Sequence, residues 1–299
     1  MILCVGEILV DMIGTNRDGS FFYERKAGGA PFNVACGVKQ FGAQSAFVGC
    51  VGDDIIGNFL EKFARARDLD VLLLKRDETR NTTLAFVELD EQGERSFCFF
   101  RKNTADYILP EVDEETLAKS DIVHIGSLML SEKEGREYAG RLARRAREAG
   151  KLVSFDVNFR TDIFRDEAEA VRLYKEQIAL VDIVKFSEDE VDIFTEEYVH
   201  SLSDKLVCVS LGARGSEWRF GGKSNIVPAI RVKPVDTTGA GDAFYAGMLA
   251  KLDGVAREQW TDEFLNKAFA FANVCGALNT LGRGAIDNLP TLAQVEEKL

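Results

Sequence analysis

The residues best suited to chemistry lie in Val235-Asp236-Thr237-Thr238-Gly239-Ala240-Gly241-Asp242-Ala243-Phe244. Two glycines one residue apart run directly into a stretch of helical spacing, residues 243–252. Glycine permits left-handed dihedrals and close backbone approach. Successive N–H groups at a helix start form an anion hole, which the helix dipole strengthens. Asp242 falls in the first turn, where the dipole favours its ionised form. A carboxylate beside an anion hole can accept a hydroxyl proton while the hole holds a transferring phosphoryl group. Taken alone, Gly239-Ala240-Gly241-Asp242 fits equally an Asp that only caps a glycine turn.

A second glycine-rich segment is Ala27-Gly28-Gly29-Ala30-Pro31-Phe32-Asn33-Val34-Ala35. Adjacent glycines let a backbone approach a ligand. Asn33 can start the helix that follows, residues 33–41, and offers a donor and an acceptor to a sugar hydroxyl. An N-capped helix after a turn is the plainer alternative. Other phosphate loops are missing. No GxGxxG follows the first apolar run, and Gly222-Lys223-Ser224 lacks the Walker A glycine because Glu217 stands at that position.

These loops need elements to hold them. Short apolar runs at residues 2–5, 46–51, 122–125, 152–156, 183–186 and 206–211 alternate with helical patterns. Residues 132–149 put Tyr138, Leu142 and Ala146 on one stripe, with Gly150 as the stop. Continuous apolar strands separated by helices predict a mostly parallel sheet covered on both faces. Residues 14–30 and 80–101 instead alternate like half-buried strands, with hairpin signals at Asp18-Gly19 and Gln92-Gly93. They predict a small sheet standing off the main body as a lid or dimer surface, or else extra edge strands of the main sheet. Phe21, Phe22, Phe97, Phe99 and Phe100 are many aromatics for such a sheet and predict that one face meets a partner.

Composition narrows the function. The chain has 299 residues, a net charge of −12 and 46% hydrophobic residues. That length buries a core without metals or disulfides. The acidic balance argues against coating nucleic acid or anionic membrane. The two histidines, His124 and His200, have no metal-ligand spacing. The six cysteines form no CxxC and read as buried thiols of a reducing, cytoplasmic compartment. The N-terminal run has no basic segment and carries Glu7 and Asp11, so it reads as a first strand and not a signal peptide. No window of about 18 apolar residues predicts a membrane span. With five prolines and no flexible linker, residues 1–299 read as one unit.

Together, the segments resemble the two signatures of the PfkB family of carbohydrate kinases, which have a ribokinase-like fold. Gly28-Gly29-Ala30-Pro31-Phe32-Asn33-Val34-Ala35, followed by Val48-Gly49-Cys50-Val51-Gly52-Asp53-Asp54-Ile55-Ile56-Gly57, matches the first signature. Asp236-Thr237-Thr238-Gly239-Ala240-Gly241-Asp242 matches the second. The resemblance implies a three-layer α/β/α fold with a β-sheet lid, and the substrates ATP and a sugar. It implies that Asp242 is the base and that Gly239, Ala240 and Gly241 supply the anion-hole amides. Asp11, Gly28, Gly29 and Asn33 would bind sugar hydroxyls, joined by Phe99, Arg101, Asn158 and Arg160.

For the nucleotide, Ser210-Leu211-Gly212-Ala213-Arg214-Gly215 is similar to the family's loop, with Ser210 where Thr is usual. Ser187-Glu188-Asp189-Glu190 matches a motif that usually begins with Asn. Ser187, Ser210, Gly212, Gly215 and Asn273 would therefore face the nucleotide, and Glu190 would order Mg²⁺ through water. Asp236 and the Thr238 carbonyl, with the loop at residues 281–285, would offer ligands to a monovalent cation such as K⁺. A homodimer through the lid is expected.

Within the family the chain is similar to bacterial fructokinases. The Gly-Gly-Ala-Pro signature, the run Arg95-Ser96-Phe97-Cys98-Phe99-Phe100-Arg101 and the segment Phe155-Asp156-Val157-Asn158-Phe159-Arg160 carry this. Val157 departs from the usual Pro. Two arginines, Arg101 and Arg160, could instead clamp a sugar carboxylate, which a 2-keto-3-deoxygluconate kinase requires. Another sugar or nucleoside kinase, or a non-catalytic sugar sensor, also remains open. His124 is placed near the cleft, as a substrate contact or as a hydrogen-bonded wall.

Overall fold

The computed structural model describes residues 1–18, 20–89, 95–160, 163–164 and 166–299. The chain opens with β1 (Ile2–Val5), breaks at residues 6–8, and re-emerges as β2 (Leu9–Arg17), which pairs with β3 (Ser20–Gly28). Helix α1 (Ala30–Gln40) leads to β4 (Ser45–Gly52), and α2 (Ile55–Arg65) leads to β5 (Val71–Asp77). Strands β6 (Leu84–Leu89) and β7 (Arg95–Phe100) follow. Then α3 (Glu114–Lys119) precedes β8 (Ile122–Ile125), α4 (Lys133–Glu148) precedes β9 (Leu152–Asp156), and α5 (Glu167–Ile178) precedes β10 (Ile183–Ser187). Helices α6 (Glu188–Phe194) and α7 (Glu196–Ser201) lead to β11 (Leu206–Ser210). Strands β12 (Ser216–Phe220) and β13 (Lys223–Val227), then helices α8 (Ala240–Leu252), α9 (Asp262–Asn279) and α10 (Leu292–Glu296), complete the chain.

The main sheet has the order β13-β12-β11-β10-β9-β8-β1-β4-β5. The seven strands from β11 to β5 are mutually parallel, and β12 and β13 add an antiparallel edge. Both faces are covered, so the inner strands are apolar on both sides. In β1, Ile2 and Cys4 join a core under α1, α2, α8 and α9, while Leu3 and Val5 join a second core under α4, α5 and α6. This is the three-layer arrangement expected. Strands β5, β12 and β13 escaped the sequence reading because β12 and β13 carry no continuous apolar run, and the run at residues 71–74 of β5 passes directly into Lys75-Arg76-Asp77. Among the described residues no helix is long and apolar enough to cross a membrane.

The second sheet is separate, with the order β3-β2-β6-β7. It starts at Leu9, earlier than the expected residue 14, so the N-terminal run is two strands in two sheets. Gly19 and the Gln92-Gly93 signal lie outside the described residues. Pairing sets its faces, because directly opposed residues share a side. Asp11 pairs with Ala85, and Ala85 with Phe99, so Asp11 and Phe99 point the same way. Phe21, Tyr23, Phe86 and Phe100 fall on the other face and form a chain of ring contacts 5.0–5.3 Å apart. The described aromatics thus divide between the two faces. Phe99 belongs to the inner face with Phe22, while Phe21 and Phe100, 52% and 60% exposed, belong to the outer one.

Candidate active site

The carboxyl ends of the parallel strands and the base of the small sheet enclose a cavity of about 350 Å³. Open α/β sheets bind ligands at this edge, where strand ends release the chain into loops. Ten expected residues line the cavity: Asp11, Gly29, Asn33, Phe99, Asn158, Arg160, Thr238, Gly239, Gly241 and Asp242. Residues expected at the sugar and residues expected at the phosphate thus line one space.

Asp242 stands in the first turn of α8. Gly239 caps this helix at φ 74°, and a Cβ there would lie 2.5 Å from the Ala285 methyl, so only glycine fits. The turn before it is held by Asp236, whose Oδ1 accepts from the Thr238 amide (2.8 Å) and hydroxyl (2.7 Å). Asp236 Oδ2 accepts from the Gly284 N–H at 3.0 Å, and the Asn279 amide donates to the Thr238 carbonyl at 3.2 Å. One expected amide drops out. The Ala240 N–H donates to Thr237 O at 3.2 Å, and Ala240 does not line the cavity. Of the three residues, Gly239 and Gly241 line the cavity.

Asn33 is not the start of its helix. Gly29 is the N-cap of α1, with Pro31 in the first turn, where proline needs no hydrogen bond. Gly29 sits at φ 107°, and a Cβ there would come 2.5 Å from the Glu7 carbonyl. This tight start turns Asn33 into the cavity, where its Nδ2 donates to Asp242 Oδ2 at 2.8 Å. Gly28 borders the site without lining it, since a side chain there would collide with the Asp11 carboxylate. Asn158 follows β9 at φ 37°, a left-handed conformation that Asn tolerates better than most residues.

The electrostatics suit a base. Burial pushes the Asp242 carboxyl up to about 6, opposed by the Asn33 hydrogen bond and raised further by Asp156. Beneath it lies an ion pair that the sequence reading missed. Lys185 on β10 donates to both oxygens of Asp156 on β9, at 2.9 and 2.8 Å, with 6% and 4% exposure. The two residues are register partners. Burial pulls the Lys185 ammonium down, but Asp156 and Glu190 outweigh it and the net shift is upward. Its signal was charged residues inside apolar strand runs, which are buried only when paired.

Glu7 was also missed as a site residue. It is 1% exposed and lines the cavity, and burial pushes its carboxyl up to about 7. Its signal was an acid inside an apolar run.

Other expected residues are held by bonds within the fold. Arg101, expected at the sugar, is a buried structural cation whose side chain is 2% exposed. Its Nε donates to Asp106 Oδ2 at 2.8 Å, and its Nη1 donates to Tyr107 Oη, Leu128 O and Ser131 Oγ. Asp106, five residues later, holds the guanidinium, and Arg101 does not itself line the cavity. Glu190, expected to order Mg²⁺, accepts from the Phe159 amide at 2.6 Å and the Ser187 amide at 2.7 Å, and forms a capping box on α6. Both its oxygens serve the backbone, and it does not line the cavity. Asn273 donates to the Val227 and Pro228 carbonyls, tying α9 to the end of β13. His124 is a wall residue. It is buried against Tyr245 with Nδ1 3.2 Å from Ser154 Oγ, and burial pushes it down to about 4.

The nucleotide candidates lie along the same strand edge. Ser187 and Ser210 are register partners at the ends of β10 and β11. Gly212 and Gly215 follow in the next turn, at φ 57° and 111°. None of the four lines the cavity.

Comparison with known proteins identifies the family. The model for the pfkB family of carbohydrate kinases matches residues 1–292. A fructokinase of Vibrio alginolyticus is 34% identical over 97% of this chain and 96% of its own. The crystal structure of a Xylella fastidiosa fructokinase with bound ATP superposes with a TM-score of 0.90, at 31% identity over 99% and 97% of the two chains. That of a Vibrio cholerae fructokinase with fructose, ADP and calcium ion gives 0.88, at 33% identity over 99% and 97%. With the fold, the cavity and the full-length matches in agreement, the chain belongs to the pfkB family of carbohydrate kinases and has a ribokinase-like fold.

Proposed function

We propose that this protein is an ATP-dependent fructokinase that phosphorylates a primary hydroxyl of the sugar. The observation that carries this is Asp242, at the head of α8, facing a cavity rich in hydroxyl-binding groups. Fructose would lie against Asp11, Asn33, Asn158 and Arg160, with Phe99 overhead from the small sheet. Asp242 takes the hydroxyl proton as the oxygen attacks the γ-phosphorus. The carboxyl near 6 is charged at neutral pH yet still basic enough to pull on the proton. The Gly239 and Gly241 amides hold charge on the phosphoryl oxygens. The small sheet acts as a lid that keeps water, a competing acceptor, off the phosphoryl group.

ATP would enter along the edge formed by Ser187, Ser210, Gly212 and Gly215. Mg²⁺ would be held chiefly by ATP itself, since no group of three His, Cys, Asp or Glu side chains among the described residues could hold a metal. When bound, it neutralises charge on the phosphates. K⁺ would lie against the Asp236–Thr238 turn, using lone pairs that the Thr238, Gly284 and Asn279 donors leave, with carbonyls from the loop that the Gly284 amide ties to this turn. The sugar is read as neutral because the two-arginine clamp is broken. Of the two arginines, Arg160 alone lines the cavity, so a sugar carboxylate lacks the second guanidinium. A second copy of the chain would cover the outer aromatic face of the lid. Five of the six cysteines are buried free thiols, in keeping with a cytoplasmic enzyme.

The test is ADP release over fructose, 2-keto-3-deoxygluconate, ribose and adenosine. Fructose should give the highest kcat/KM. Asp242→Asn should keep its fold and sugar affinity and lose about 10²–10⁴-fold in kcat, the range of a general base. Ketodeoxygluconate turning over faster than fructose, or full activity in Asp242→Asn, would overturn the proposal.

A further inference from the structure

One acid in the cavity has no part in the chemistry above. Glu7 lies in the break between β1 and β2, at the carboxyl edge of the main sheet. It is all but inaccessible to solvent, yet it lines the same cavity as Asp11, Asn33 and Asp242. Neither carboxyl oxygen has a hydrogen-bond partner on another described residue. The site is shaped around it. A Cβ on Gly126 would come within 3.0 Å of Glu7 Oε2, so the absence of a side chain there leaves room for the carboxyl. A Cβ on Gly29 would come closer still, 2.5 Å from the Glu7 carbonyl, so the backbone on both sides of the acid leaves no room for a side chain. Buried polar groups are kept where something completes their hydrogen bonds. The Asn33 Oδ1 is unpartnered in the same way, and its own amide shows that this wall faces the reacting carboxylate.

We propose that Glu7 is a specificity-determining residue whose carboxyl accepts a hydrogen bond from one sugar hydroxyl other than the one phosphorylated. This rests on reading the cavity as the sugar site. Asp242 holds the reacting hydroxyl, so Glu7 reads a different position on the acceptor. A site built to bond a hydroxyl rejects the analogue lacking it, because its own buried group is then left unmade.

The experiment is titration calorimetry with fructose and the set of monodeoxyfructoses, on the wild type, Glu7→Gln and Glu7→Ala. Calorimetry needs no turnover. At pH 8, where Glu7 is mostly charged, wild type should bind one deoxy analogue about tenfold or more weaker than fructose, the size of one lost hydrogen bond to a charged group. Glu7→Ala should bind fructose weaker by a similar factor and no longer distinguish that analogue, while its ATP affinity stays as in the wild type. Fructose affinity of Glu7→Ala within about twofold of the wild type, or undiminished discrimination against every deoxy analogue, would overturn the proposal. If Glu7→Ala does not fold, discrimination is read in Glu7→Gln instead. Lost discrimination there supports the proposal, and undiminished discrimination overturns it. Wild type that binds another sugar of the screen and not fructose refutes the fructose reading alone. Glu7 is then judged on that sugar and its deoxy analogues.

Discussion

The hydrogen bond from Asn33 to Asp242 can be removed without touching the base, and its removal has a signed consequence. Asn33 Nδ2 donates to Asp242 Oδ2 at 2.8 Å, and this bond lowers a carboxyl that burial has raised to about 6. In the wild type, kcat/KM for fructose should fall as pH drops through about 6, since only ionised Asp242 accepts the proton. At pH 5 roughly one-eleventh of the sites would carry the charged base. In Asn33→Ala that stabilisation of the charged form is lost, so the limb moves up. A hydrogen bond to a charged group contributes about 1.5–3 kcal/mol when buried, and one pH unit is about 1.4 kcal/mol. Water entering the partly open cavity replaces some of this, leaving a shift of about one pH unit. The assay is kcat/KM for fructose at saturating ATP from pH 4.5 to 8.5, with the two proteins compared directly. Asn33 also touches the sugar, so the height of the profile will drop, but the position of its limb does not depend on that height. A limb that stays put or moves to lower pH would refute the reasoning.

Three further outcomes are expected. Arg101→Met leaves Asp106 as a buried anion held by the Thr83 and Thr104 hydroxyls, and should destabilise the protein by about 3–5 kcal/mol in urea denaturation. Arg101→Met with Asp106→Leu should recover much of that, whereas a loss confined to sugar affinity would return Arg101 to the sugar site. Gly239→Ala forces a side chain into a left-handed position against Ala285 and should cost about 1–3 kcal/mol in thermal unfolding, with at least about a tenfold drop in kcat. Phe21→Glu with Phe100→Glu should turn a dimer into a monomer in light scattering while leaving the inner-face Phe99 in place. A wild-type monomer at micromolar concentration would remove the lid dimer.

What the sequence disclosed follows from how local each feature is. The loop around Asp242 was legible because glycine spacing, helix start and carboxylate lie within ten residues. Asn33 was legible as a site residue, although its helix begins three residues earlier than the Asn suggested, because Pro31 and Gly29 make the better start. Arg101 misled because a charged residue does not announce its partner. Asp106 is close in sequence, but only the fold reveals that the pair turns inward. Asp156 and Lys185 were hidden for the opposite reason, being 29 residues apart and joined only by strand register. The lid boundary was missed because β1 and β2 read as one apolar run until Gly6, at φ 153°, diverts the chain.

The central position of β1 bears on how the molecule comes into being. The first strand made lies between β4 and β8, so it gains its second neighbour only after residue 122 has been synthesised. Such long-range parallel pairing is slow to form and exposed to misassembly. Asp11 and Asn33 emerge early, while Asp242 arrives more than two hundred residues later. A nascent chain thus holds the sugar side of its pocket, unfinished, through most of translation. No truncated product ending before α8 should phosphorylate sugar.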